Sequence, residues 1–341
     1  MTVLSNNTKE PSVTHRLRAR KRGGARAWTQ YGTAIATLAA VIVFTILNPG
    51  EFLSRGNLLT IIDQMAIPLI IICGLTFVVL AGSVDLSIEG VMAAAGLTFV
   101  LLSGDSSNAI DLGFAAVIVA VLVGLLFGLV NGLIHTKLRI PSFILTLGTW
   151  YVGLGVASIL YGSSAPTLEG SPTVDWLAGE TLGLSHACWI AIVMVGSCLS
   201  LVKWTAFGRY SYAVGNDEKG AEVAGVPVRR FKVYFFAFAG VCSATAGIIG
   251  SVRLGAGLVE VGSGQLFFAL TAVVVGGTAL AGGQGGIGRS VVGVLLLTVL
   301  NNGLVLSGAD PSIQQALFGI AIIVAVGAAA FRQRSITRVV K

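Results

Sequence analysis

Residues 58–81 read LLTIIDQMAIPLIIICGLTFVVLA, and residues 82–87 continue Gly-Ser-Val-Asp-Leu-Ser. The first stretch carries a single charge, Asp63, and is apolar on every helical face. A helix of about 20 residues crosses the hydrocarbon of a bilayer at about 1.5 Å per residue, so this stretch is long enough to span. The second stretch interrupts it: Gly82 and Ser83 stop one helix, and Asp85 stands before the next. A helix that is hydrophobic all round belongs in lipid or inside a large bundle. The rest of the chain decides which.

Of 341 residues, 55% are hydrophobic and only 11% are charged, where a soluble domain carries about 25% charged residues. The mean hydropathy is +0.87. These values exclude a disordered, collagen-like or disulfide-stapled chain and argue against a soluble enzyme. The hydrophobic residues gather in ten runs: 31–48, 58–81, 86–104, 112–134, 142–161, 187–202, 233–252, 266–281, 290–307 and 313–330. Barrel strands would be about 10 residues long and alternating, and no such pattern occurs. The expectation is an all-α membrane protein with ten transmembrane helices. A basic tail precedes them at 1–30, a transmembrane domain fills 31–330, and a second basic tail follows at 331–341.

The basic residues set the orientation. With the N-terminus in the cytoplasm, all of the 22 Lys and Arg residues except Arg55 and Arg253 fall in cytoplasmic pieces. The outer loops carry Glu51, Asp105, Asp111, Glu169, Asp175, Glu180, Glu260 and Asp310 instead. This is a positive-inside pattern with both termini cytoplasmic, and it accounts for the net charge of +7 without a nucleic-acid partner. The Arg-rich stretch 16–26 reads as an anchor on anionic membrane lipid. It is too long a charge run for a secretory signal, and no small-residue cleavage site follows.

Covalent chemistry is hard to find. Cys73, Cys188, Cys198 and Cys242 lie singly in apolar runs, and the three histidines form no metal motif, so no metal or cofactor is expected. Residues 283–288 fit GxGxxG, but they join two membrane runs and no βαβ unit surrounds them, so they read as a tight cytoplasmic turn. Gly124 and Gly128 form a small-xxx-small pair. Gly276-Gly277 and Gly282-Gly283 mark helix breaks, which serve close packing or a transport path. Asp85 reads either as a helix N-cap or as a polar group lining a cavity. Asp63 and Glu89 are the other ionisable groups inside the runs.

The longest cytoplasmic loop, 203–232, is rich in charge. Asn216 is placed to cap a short helix over Asp217–Ala224, with Asp217, Glu218 and Glu222 in it, Gly225 stopping it and Pro227 forbidding continuation. Arg229 and Arg230 follow. The alternatives are a plain connector and a rigid docking element for a partner protein.

Five stretches together resemble the permease subunits of ABC-type sugar importers of the ribose, xylose and arabinose class. They are Gly82–Ser87; Leu129-Val130-Asn131-Gly132-Leu133 with Ile140-Pro141-Ser142-Phe143 and Thr146-Leu147-Gly148; Ala213–Glu218 running to Gly225–Arg230; Gly276–Gly283; and Leu300-Asn301-Asn302-Gly303-Leu304. The resemblance covers about residues 30 to 330. It implies the vitamin-B12-importer-like (type II) fold with inverted repeats, helices two to five and seven to ten running in opposite senses. It also implies a second permease subunit, two ATPase subunits, a periplasmic sugar-binding protein and a bacterial inner-membrane location. Gly215, Asn216, Asp217, Glu218, Glu222, Ala224, Gly225, Pro227, Arg229 and Arg230 would then form the element that couples to the ATPase. This chain departs from the family at Glu89, where the usual residue is small or apolar.

Candidate path residues are Asp85, Asn131, Asn301, Asn302, Gln314 and Gln315, whose other role is helix capping or interhelical hydrogen bonding. The function expected is movement of a monosaccharide, with ATP hydrolysed on the partner subunits and no covalent chemistry on this chain. Competing readings are a branched-chain amino acid permease of related fold and an ion-coupled secondary transporter.

Overall fold

The computed structural model describes residues 32–105, 108–168, 170–310, 312, 316, 319 and 320. The N-terminal tail, most of the run 313–330 with Gln314 and Gln315, and the C-terminal tail lie outside the described residues.

Each expected run from 31–48 to 290–307 contains a helix. In chain order these are α1 (Gly32–Leu47), α2 (Arg55–Leu80), α3 (Ile88–Leu101), α4 (Phe114–Leu138) and α5 (Ser142–Tyr161). After the short α6 (Pro172–Ala178) come α7 (His186–Trp204), α8 (Ala206–Asn216), α9 (Glu218–Val223), α10 (Val228–Leu254), α11 (Gln265–Val275) and α12 (Ile287–Leu306). Six of them, α2, α4, α5, α7, α10 and α12, are long and apolar enough to cross a membrane, and α1, α3 and α11 are shorter apolar helices.

The all-α expectation needs one amendment. Two short antiparallel pairs join β1 (Ser103–Asp105) to β2 (Asn108–Asp111) and β3 (Glu180–Thr181) to β4 (Leu184–Ser185). The second is a two-residue hairpin. Leu182 and Gly183 both take positive φ (56° and 76°), the combination whose twist matches that of the flanking strands. Hairpins this short are invisible to hydrophobic periodicity.

Successive membrane helices alternate in direction, so the connections gather at two ends. At the basic end, Gly283 N–H donates to Leu80 O (2.9 Å) and Val84 N–H to Ser142 Oγ (3.0 Å), tying three connections together. At the acid-rich end, Leu168 N–H donates to Gly255 O (2.9 Å) and Asn48 Nδ2 to Ser307 Oγ (2.8 Å). Arg253, an exception to the charge rule, is here: it pairs with Asp63 (2.8 Å), which also accepts from Ser185 Oγ (2.5 Å).

Helix α10 is the central mast and packs on α4, α3 and α2. Close approach comes from small residues. Gly124 and Gly128 of α4 lie directly against the α10 backbone at Gly240 and Phe236–Ala237, so the small-xxx-small pair packs helices together. Toward the basic end, Phe77, Phe207, Phe235 and Phe238 form an aromatic cluster with edge-to-face pairs as close as 4.8 Å between centroids. Faces pointing outward on α4, α5 and α7 carry Ile118, Leu122, Leu126, Ile159 and Val193, all exposed, as lipid-facing surfaces require.

Two of the shorter helices begin partway through the bundle. Gly90, in the first turn of α3, lies against Trp150 and Gly153 at the middle of α5. The neighbouring residue, Glu89, accepts a hydrogen bond from Leu266 N–H at the start of α11 (3.1 Å). Both helices therefore start near half-height and run to opposite ends. At about 1.5 Å per residue α11 covers roughly half of a ~30 Å hydrocarbon layer. The remaining thickness is crossed by non-helical chain, 82–87 below α3 and 255–264 above α11. This is why the run 266–281 is helical only to Val275.

Candidate coupling and transport site

The segment 82–87 leaves the helical ladder, so its amides need other partners. Side chains supply them. Val84 N–H donates to Ser142 Oγ (3.0 Å), Leu86 N–H to Thr146 Oγ1 (2.9 Å) and Ser87 N–H to Asp85 Oδ1 (2.9 Å). Ser142 and Thr146 are four residues apart on one face of α5, and that spacing presents both oxygens to the extended strand. Asp85 is 2% exposed. Its Oδ1 also accepts from Ser87 Oγ (2.6 Å), and Ser87 Oγ accepts from Asn131 Nδ2 (3.0 Å). The N-cap position of α3 belongs to Ser87, so Asp85 forms an Asx turn that leads into the helix rather than capping it. Asp85 and Asn131 are thus brought together and buried, and three separated motif stretches meet at one point.

The other nominated polar groups lie elsewhere. Asn302 on α12 exchanges two 3.0 Å hydrogen bonds with Asn57 near the start of α2, and Asn301 beside it is half-buried. Gln314 and Gln315 are outside the described residues.

The loop between α7 and α10 contains two helices. Helix α8 ends at Asn216, and the cap of α9 is Asp217, whose Oδ1 accepts from Gly220 N–H (3.0 Å). The expected capping role of Asn216 passes to its neighbour because Asn216 has another task. Its Nδ2 reaches Tyr212 O (2.8 Å) and Gly283 O (3.3 Å). Gly225 takes φ +83° after Ala224 and stops α9 as expected. Lys232 pairs with Glu218 at 2.8 Å, bracing α9 against α10.

Behind α9 the chain is keyed into the bundle. A Cβ on Gly215 would collide with the Leu80 carbonyl oxygen and the Gly283 amide, so α8 ends flush against both the last turn of α2 and the glycine turn 276–286. Tyr212 Oη donates to Gly285 O (3.0 Å) in the same turn. Burial raises the Tyr212 phenol above its ordinary value, with Arg289 acting in the opposite direction, so the hydroxyl stays a donor. In front, the surface is open. Glu222, Ala224, Pro227, Arg229 and Arg230 are exposed, and Val223 is 90% exposed. Two arginines in the first turn of α10 oppose the positive end of its dipole.

Sequence patterns did not single out Ser87, Ser142, Thr146, Tyr212 or Val223 for these contacts. The (i, i+4) hydroxyls following Pro141 were a usable signal for the first pair. An isolated valine in a polar loop is the signal for Val223. Among the described residues no group of His, Cys, Asp and Glu is arranged to hold a metal ion.

Residues 57–326 match the family described as "Branched-chain amino acid transport system / permease component". The chain is 34% identical to the ribose import permease protein RbsC of Haemophilus influenzae, over 64% of this chain and 68% of that protein. It is 35% identical to RbsC of Bacillus subtilis over 65% and 68%. It is 32% identical to the L-arabinose transport system permease protein AraH of Escherichia coli, over 68% and 69%.

Proposed function

The chain belongs to the permease family of branched-chain amino acid transport systems, and from that premise we propose that it is the membrane subunit of an ATP-driven monosaccharide importer. The sugar reading rests on the ribose and arabinose permeases among its relatives, to which it is similar over about two thirds of its length. In this reading the chain spans the inner membrane ten times with both termini cytoplasmic, in the type II importer fold. It pairs with a second copy, receives sugar from a periplasmic binding protein and takes its drive from two ATPase subunits.

One observation carries the coupling role. Helix α9 offers an exposed front while its rear is keyed, through Gly215 and Asn216, to the end of α2 and the glycine turn. A push on α9 has no slack to absorb it before it reaches the 82–87 strand and the foot of α12. The chain hydrolyses nothing. It converts closure of the motor subunits into alternating exposure of a path.

The test is reconstitution with the cognate ATPase and binding protein. ATP-dependent uptake of labelled ribose or arabinose is expected, and the double variant Arg229→Glu/Arg230→Glu should insert normally yet lose at least nine-tenths of that uptake. Undiminished uptake by the double variant rules out the docking role. Uptake of labelled leucine in place of sugar selects the branched-chain amino acid reading, and uptake that follows an ion gradient without ATPase rules out both.

A further inference from the structure

The connection 255–264 descends from the acid-rich end to half-height. Val259 and Val261 pack against the cluster of Ala93, Leu97 and Ala157 that α3 and α5 share, and Gly262 rests on Glu89. Its backbone then turns through Gly264 at φ +80° and enters α11. Ser263 and Gly264 are exposed, and the space in front of Gly264 is open. Phe267, one turn on, is exposed as well. Consecutive α3 residues touch both this turn and α5, Glu89 at Gly262 and Gly90 at Trp150. Beside Trp150, Tyr151 is 67% exposed at the middle of α5.

An exposed non-helical turn and an exposed phenol at half-height are both incompatible with hydrocarbon. Irregular backbone at that depth persists only where protein or water covers it, and a polar group left in lipid costs several kcal/mol, by an order-of-magnitude estimate. The large exposed side chains of α4 are Phe, Leu, Ile and Val instead. Resting on the permease reading above, we infer that Tyr151, Ser263, Gly264 and Phe267 line the water-filled translocation cavity. They form the half-height contact surface for a neutral, polyhydroxylated solute.

The chemistry suits such a solute. The aromatic rings of Tyr151 and Phe267 offer flat faces for the C–H side of a sugar ring, and the Ser263 and Tyr151 hydroxyls serve its oxygens. An acidic solute would seek the amides at the start of α11, but Glu89 already holds the Leu266 amide from behind. Asp85, Asn131 and Asn302 are buried away from this surface. Asp85 and Asn131 brace the buried strand instead.

Cysteine labelling tests the assignment in the assembled transporter. The four native thiols are buried, so background reaction is low. Ser263→Cys, Phe267→Cys and Tyr151→Cys are compared with Ile159→Cys and Val193→Cys on the outward faces of α5 and α7. A charged methanethiosulfonate should modify the three turn and α5 positions at least tenfold faster than the two controls. The rate at Ser263→Cys should change severalfold when ATP is trapped on the motor subunits. Rates equal to the controls overturn the cavity. So does oxidant-driven pairing of Ser263→Cys across two copies without reagent labelling, which would make the turn part of a protein–protein seam. ATP-driven sugar uptake, measured on the same unlabelled variants, separates the two levels. Intact uptake with unreactive thiols removes only the cavity, and uptake without ATP removes the permease reading itself. Substituting one exposed residue at a time keeps the fold, and monodisperse gel filtration of each assembly checks it.

Discussion

The strand 82–87 and the connection 255–264 solve the same problem in opposite ways. Each crosses about half the bundle without helical hydrogen bonding, and each leads into a half-length helix, α3 or α11. Side chains of Ser142, Thr146 and Asp85 seal the first, and all of its residues but Gly82 are buried or half-buried. The second makes local turn bonds, such as Ser263 N–H to Glu260 O (2.9 Å), and leaves its tip uncovered. The two segments stand at corresponding places in the halves expected to be inverted copies. Under the proposed function the difference is a division of labour, the sealed break bearing load from the proposed coupling loop and the open one meeting the solute.

Three substitutions stress that contrast. The largest effect is expected at Gly215, which locks α8 against the sealed side. Gly215→Val drives a branched side chain into backbone on two sides, so a loss of about 3 kcal/mol in stability is expected. Thermal unfolding in detergent reads it, together with loss of assembly with the ATPase. Next is Thr146→Val, which keeps the shape but strips the acceptor from Leu86 N–H. An unpaired amide of this kind costs about 1–3 kcal/mol, seen as a lower unfolding temperature and faster amide exchange at Leu86. The smallest is Ser263→Ala on the open side, where unfolding should shift by less than about 0.5 kcal/mol while the KM for sugar uptake rises. If Ser263→Ala destabilises as much as Thr146→Val, the open turn is structural and the contrast fails.

Much of this architecture could be read before any coordinates. Length and hydropathy located the apolar helices from α1 to α12, though not the short α6 and α8, and the charge rule sorted their connections into the two ends that the structure gathers. Arg253 looked like a violation until its partner Asp63 came to its side from 190 residues away in sequence, which no local pattern shows. The ends of α9 were placed to within a residue, but its cap moved from Asn216 to Asp217. Both residue types cap well, and only the tertiary demand of Gly283 chose between them. Asp85 was legible as the marker of a break, but not as the inner half of an Asx turn. The partners that bury it come from α4 and α5. Polarity alone marked the candidate path residues, and of these Asp85, Asn131 and Asn302 hydrogen-bond within the bundle. Exposure at half-height is a three-dimensional property, so Ser263 and Tyr151 had no signature in the chain.

The mast helix α10 has a consequence for how the protein is made. It carries Ser243, Thr245 and Ser251 and three glycines along its length, and it is the most enclosed of the long helices. Such a segment leaves the ribosome only after α2, α3 and α4, the neighbours that will enclose it, have been synthesised. It can therefore slot into a waiting socket in the bilayer instead of lingering alone in lipid. Moving it ahead of those three in a circularly permuted gene would strand its hydroxyls and glycine backbone without company, and biogenesis would stall where folding now proceeds.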